Sequence, residues 1–145
     1  MTEIPSGTLL AGYSENTKDV GVKADVRHGG RFFVDHEIDD IGIVKIDVDG
    51  FEPQVCRGLA EILKRDRPFV LLELSHQAIS EFGNEEHFRG SLYPDARIYE
   101  FRGGRGVSVI PFAFRSFAGF VELLIIPAEF DSVFRRTFAS RSWAL

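Results

Sequence analysis

The sequence predicts an α/β fold, with a mixed sheet built on a parallel βαβ core and an antiparallel C-terminal edge pair. Three observations predict it. Ile41 to Val48, reading IGIVKIDV, is β-branched and apolar almost throughout, as in strands covered on both faces. Val55, Leu59, Ile62 and Leu63 then recur at helical spacing, with Arg57, Glu61, Lys64 and Arg65 mostly opposite. Phe69 to Leu74, FVLLEL, is a second run of the buried type. Strand, short loop, amphipathic helix, short loop and strand make a βαβ unit with a right-handed crossover expected.

The remaining elements follow in order. Residues 1–18 are rich in Ser, Thr, Gly and Asn without periodicity, and read as a flexible arm. Val20 to Val26 alternates and suits a half-exposed strand. His28-Gly29-Gly30 is a turn signal, and Phe32, Phe33, Val34 and Ile38 follow in a segment of undetermined type. The first apolar run stops at Asp49-Gly50, and Pro53 sits where a first helical turn accepts it. The helix ends before Arg67-Pro68, because the residue preceding proline is pushed out of the α region. A helix is expected around Gln77 to Phe88. A strand over Arg97 to Phe101 follows, then a turn at Gly103-Gly104-Arg105-Gly106. Phe120 to Ile126 is a strand closed by Pro127 and able to pair antiparallel with the preceding one. A short helix over Ser132 to Phe138 completes the tail. The expected organisation is one domain: the arm, a core over 20–127 and a tail over 128–145.

Composition excludes several classes. At 145 residues, 44% hydrophobic and 27% charged, the chain can bury a core, and disorder is not the default. A net charge of −5 argues against binding nucleic acid through phosphate neutralisation. One cysteine excludes an internal disulfide framework. There is neither a basic segment leading an apolar run at the start nor a stretch of the about 18 apolar residues that a membrane span needs. A cytoplasmic protein without a membrane partner is the expectation. Phe occurs 14 times against one Trp and three Tyr. The group Phe112, Phe114, Phe117 and Phe120 is expected to be core.

Ile43-Val44-Lys45-Ile46-Asp47-Val48-Asp49-Gly50-Phe51-Glu52 and, after the helix, Arg67-Pro68-Phe69-Val70-Leu71-Leu72-Glu73-Leu74 resemble the signature of the FkbM methyltransferases. That family carries a strand ending in K-I-D-V-E-G-x-E, a helix with a V-L-x-G-L type stretch, and a strand reading P-x-x-L-x-E. Val55-Cys56-Arg57-Gly58-Leu59 is close to the helix pattern. Ile98-Tyr99-Glu100-Phe101 and Leu123-Leu124-Ile125-Ile126-Pro127 suit the downstream strands. The resemblance covers 20–127, densest from Ile41 to Leu74, and Asp49 stands where glutamate is usual.

The resemblance implies a partial Rossmann-like methyltransferase fold, S-adenosylmethionine as cofactor, and O-methyl transfer to a hydroxyl of a small molecule or sugar. In such a sheet Ile43 to Val48 would be the fourth strand and Phe69 to Leu74 the fifth. Ligands would bind outside the carboxyl ends of the strands. The family's glycine-rich turn after its first strand has no counterpart, since no G-x-G motif precedes Ile41. The chain is therefore expected to be truncated and without half of the donor site. The competing expectation is a non-catalytic half-domain that self-associates, or pairs with another chain, through an exposed sheet edge.

The candidate catalytic residues are Asp47, Asp49, Glu73, Lys45 and His76. Asp47, Asp49 and Lys45 share a period of two and would point the same way from a strand. Charges in an apolar strand cost free energy unless paired or used; Lys45 pairing with one of the acids is the structural reading. Glu73 is a lone acid at the end of FVLLEL, and a hydrogen bond to a neighbouring loop competes with function. His76 opens the next helix, where a polar surface role competes with proton acceptance. Glu52, in a first helical turn, reads as a partner of the helix dipole. Asp47-Val48-Asp49-Gly50 contains the D-x-D-G of a calcium loop, but lacks the earlier acid, the terminal glutamate and the flanking helices. No metal site is expected.

Overall fold

The computed structural model describes residues 26–102, 106–139 and 143–144. The arm, Val20 to Asp25 and the Gly103–Arg105 part of the expected turn lie outside them.

The βαβ unit forms as the sequence implies. β1, Ile43–Ile46, pairs in parallel with β2, Phe69–Ser75, in the register Ile43 to Phe69 and Ile46 to Leu72. Between them runs α2, Glu52–Asp66, with Pro53 in its first turn and Cys56, Leu59, Ile62 and Leu63 buried. Arg67 closes it in the left-handed region (φ 50°), its N–H donating to Leu63 O at 3.0 Å. Its guanidinium then bonds both oxygens of Asp95 at 2.6 and 2.7 Å.

Ahead of β1, His28-Gly29-Gly30 is a helix start and not a turn. α1, Gly29–Asp35, has His28 as its cap, with Nδ1 accepting from Arg31 N at 3.4 Å. The glycines let α1 lie close against α2. A Cβ on Gly29 would stand 2.6 Å from Leu59 Cδ2, and one on Gly30 would stand 3.0 Å from Gly58 O.

The helix expected around Gln77 to Phe88 is two: α3, His76–Phe82, and α4, Glu85–Gly90. Gly83, at φ 76°, ends the first, and Asn84 caps the second by accepting from His87 N at 2.8 Å. β3, Arg97–Arg102, and β5, Phe120–Ile126, pair antiparallel as anticipated. β5 is the inner member of that pair, because its other side pairs antiparallel with β2. β4, Gly106–Pro111, adds a further antiparallel strand beside β3. The strand order is thus β1-β2-β5-β3-β4, and the two-residue β6, Trp143–Ala144, pairs with the start of β4. One 3-10 turn, Ala128–Phe130, leads into α5, Asp131–Ala139.

The main core lies on one sheet face, where Val70, Leu72, Leu74, Leu123 and Ile125 are fully buried against α2, α3 and α4. Phe112 joins it, and Phe114 and Phe117 pack beside it; Phe120 is 60% exposed. On the other face Phe134 of α5 packs with Tyr99, Leu124 and Ile126. That cover stops short of β1. Ile43 is 71% exposed, and among the described residues β1 has a neighbour on one side only. The expectation of a strand covered on both faces is overturned there. Its apolar side chains fit a sheet interior, but the described chain brings nothing over Ile43 and Lys45.

Candidate functional site

The chain leaves β1 through a tight turn. Asp49 (φ 47°) and Gly50 (φ 103°) are both left-handed, and Phe51 N donates to Val48 O at 3.2 Å, the pattern of a type I′ turn. Aspartate tolerates that region better than most residues, and glycine enters it without steric cost. Gly50 is also filled from outside, since a Cβ there would lie 2.7 Å from Gln77 Oε1. Asp49 therefore does not extend β1 at period two. Its carboxylate reaches the same place by way of the turn.

β2 is the neighbouring strand of the same sheet. Two positions before its end, Glu73 lies opposite Glu122 of β5. The parallel register of β1 and β2 carries Asp47 to the other side of Glu73. Carboxylate oxygens of Asp47, Asp49 and Glu73 all lie within 4.8 Å of one another. Three of the five candidates are thus brought together at the C-terminal ends of two adjacent parallel strands. Lys45 joins them as counter-charge, its ammonium bonded to Asp47. That bond comes first in raising the Lys45 pKa, with Glu122 and Glu73 adding to it. His76 stands apart. It opens α3, with its backbone N–H on Gly119 O at 2.8 Å, and its exposed imidazole has no bond to the acids.

Glu73 has its pKa raised by its surroundings. Partial burial comes first in raising its pKa above the ordinary 4.5, followed by Glu122, Asp47 and Asp49. Like charges opposite one another disfavour ionisation of both. A carboxyl group so placed holds a proton more readily than a free one. Hard divalent cations accept oxygen ligands at this spacing, but exposed acids often gather without one. Lys45 supplies the balancing charge here, and no metal is assigned.

Two residues of this site escaped the sequence reading. Glu122 is a lone acid in FVELLII as Glu73 is in FVLLEL; the antiparallel register, once known, sets them face to face. Glu52 was read as a dipole partner, but only 1% of it is exposed. Its Oε1 accepts from Gly50 N at 2.9 Å and its Oε2 from the Ser75 hydroxyl at 3.1 Å.

Other candidate chemistry is absent from this end of the sheet. Cys56 is fully buried, and burial pushes its thiol up to about 12, so it is no nucleophile. A surface cavity of ≈ 540 Å³, lined by Arg57, Glu81, Glu86 and His87 among others, lies between α2 and α3–α4 and includes none of Asp47, Asp49, Glu73 and Glu122. Gly29, Gly30 and Gly50 do not form a cofactor cradle either. Gly29 and Gly30 serve the α1–α2 contact, and Gly50 faces Gln77. The described residues therefore offer S-adenosylmethionine no backbone approach at these three glycines. Among the described residues no helix is long and apolar enough to cross a membrane.

The family model described as the methyltransferase FkbM domain matches residues 5–105 of the chain. No curated protein and no solved structure matches it.

Proposed function

The chain belongs to the FkbM methyltransferase family, and from that premise we propose that it supplies the acceptor side of an S-adenosylmethionine-dependent O-methyltransferase site. The acceptor is a hydroxyl of a small molecule or sugar. The observation that carries this reading is the convergence of Asp47, Asp49 and Glu73 at the ends of β1 and β2. Ligands of open α/β sheets bind in that position.

The three acids have separable roles in this reading. A hydroxyl set between them donates a hydrogen bond to Glu73, the carboxylate most disposed to take its proton. Asp47, already held by Lys45, and Asp49 accept from neighbouring hydroxyls and so fix the acceptor's orientation. Orientation is the larger contribution, and a positioned base adds about 10²–10⁴-fold. His76 would act only if substrate brought it closer. The donor's binding surface does not run over Gly29, Gly30 or Gly50, which are closed by Leu59, Gly58 and Gln77.

Calorimetric titration with S-adenosylhomocysteine tests the chain as it stands. Saturable binding supports autonomous methyl transfer. No binding sinks that activity for the isolated chain and leaves family membership intact.

A second reading is favoured by one observation, the open edge of β1 with Ile43 71% exposed. An unpaired strand edge is a template for pairing, and a half-domain that self-associates through β1 would cover it. Light scattering on a sizing column discriminates. A monomer across a wide concentration range counts against it.

A further inference from the structure

The acids of the site sit on two elements, Asp47 and Asp49 on the segment leaving β1 and Glu73 within β2, and a single buried carboxylate ties the turn after β1 to the end of β2. We propose that Glu52 is the positioning residue of the site, a clamp that holds the Asp49-Gly50 turn against the start of α3 and so sets Asp49 beside Glu73. The proposal rests on the reading of those acids as the acceptor side.

The geometry is specific. Glu52 is the first residue of α2, and the chain leaving the turn folds it back beneath that turn. Oε1 takes the N–H of Gly50 at 2.9 Å. Oε2 takes the hydroxyl of Ser75 at 3.1 Å, and Ser75 Oγ in turn accepts from Ala78 N at 3.1 Å as the cap of α3. One oxygen therefore serves the turn after β1 and the other the end of β2. Gln77 closes the same junction from above, with its side chain against Gly50. A carboxylate that is 1% exposed is held there only because both oxygens are bonded.

The placement of charge explains why such a clamp is needed. Asp47, Asp49, Glu73 and Glu122 repel one another across one rim, and Lys45 is bonded to Asp47 alone of the four. The exposed turn bearing Asp49 would relieve that repulsion by swinging away. The bond from Gly50 N to Glu52 Oε1 fixes the residue next to Asp49. Glu52 is not a catalytic residue on this account; it acts through Asp49 and Glu73.

The test reads the acids themselves in the full chain, without any methylation assay. Side-chain carboxyl NMR titrations of Asp49 and Glu73, with amide exchange at Gly50, are compared in the parent, Glu52→Ala, Glu52→Gln and Ser75→Ala. Ile62→Val, in the same helix, is the control for lost stability. With Glu52→Ala, Glu73 should titrate lower than in the parent, as Asp49, one of the charges that raise its pKa, departs. Gly50 exchange should rise about tenfold beyond the global change. Ser75→Ala should give part of this, Glu52→Gln less, and Ile62→Val none. An unchanged Glu73 titration in a folded Glu52→Ala overturns the proposal. Should Glu52→Ala fail to fold, Ser75→Ala decides: a Glu73 titration that moves no more than in Ile62→Val overturns it equally. If the titrations shift as stated but S-adenosylhomocysteine does not bind, the clamp stands and autonomous activity alone falls.

Discussion

The two faces of the sheet come from the same strands, and they differ in what lies over them. On one face Val70, Leu72, Leu74, Leu123 and Ile125 are all fully buried beneath α2, α3 and α4. On the other, Lys45, Leu71, Glu73 and Glu122 occupy the alternate positions, with Leu71 36% exposed. α5 covers only the part of that face around Tyr99, Leu124 and Ile126. The period of two in a strand has sorted one run of residues into a core and an open, acid-bearing surface. Charges in IGIVKIDV, read as interior, imply a high desolvation cost. On the open face that cost falls sharply, and the acids are tolerated because they never enter the core.

The comparison is broken most directly by truncating neighbours on opposite faces. Leu72→Ala leaves a cavity in the covered face and should cost about 2–5 kcal/mol. Leu71→Ala, one residue away, should cost less than about 1 kcal/mol because its side chain is already partly in water. Urea unfolding of the two variants measures the difference. Equal losses would mean that the open face is covered in solution.

A smaller effect tests the part of the open face that α5 does cover. The Tyr99 hydroxyl donates to Asp131 and accepts from Arg135 Nε at 3.0 Å, fastening the start of α5 to β3. Tyr99→Phe keeps the ring stacked near Phe134, whose centroid is 4.8 Å away, and removes only those bonds. The expected loss is about 1 kcal/mol, with faster amide exchange confined to α5. Loss spread across the whole chain would show that α5 is integral to the main core.

The face that makes the fold was the more legible one in the sequence. The βαβ unit could be read because its signals agree: two apolar runs, helical spacing from Val55 to Leu63, Pro53 at the start and Arg67-Pro68 at the end. Strand β4 was not read, since GVSVIP is short and follows a glycine cluster that draws attention to the turn. The split between α3 and α4 was readable in principle, because Gly83-Asn84 is a helix stop followed by a cap. Of the site, Asp47, Asp49 and Glu73 could be placed from their strand ends. Glu122 needed the strand register, which no local pattern encodes. Glu52 needed its burial, and a glutamate in a first helical turn looks the same in sequence whether it faces water or ties a turn to the end of a strand.

The smallest expected effect is also the one that speaks most directly to the chemistry of the open face. The pKa of Glu73 is raised above its ordinary 4.5 by partial burial and then by Glu122, Asp47 and Asp49, so the native state holds that proton more tightly than the unfolded chain does. Stability must then fall as pH rises from the ordinary value through the raised one, because the native protein releases its proton last. Above that window the ionised carboxylate is a standing cost to the fold; below pH 4.5 both states are protonated and the cost is gone. Glu73→Gln removes the group that titrates while keeping its size. The variant should be more stable than the parent at pH 7, by less than the Tyr99→Phe loss, and should match it at about pH 4. Thermal unfolding of the pair across that range gives the answer. A variant less stable than the parent at pH 7 would show that the ionised Glu73 is welcomed by Lys45 more than it is opposed by its fellow acids, and the carboxyl would then be a weaker proton acceptor than this face otherwise makes it.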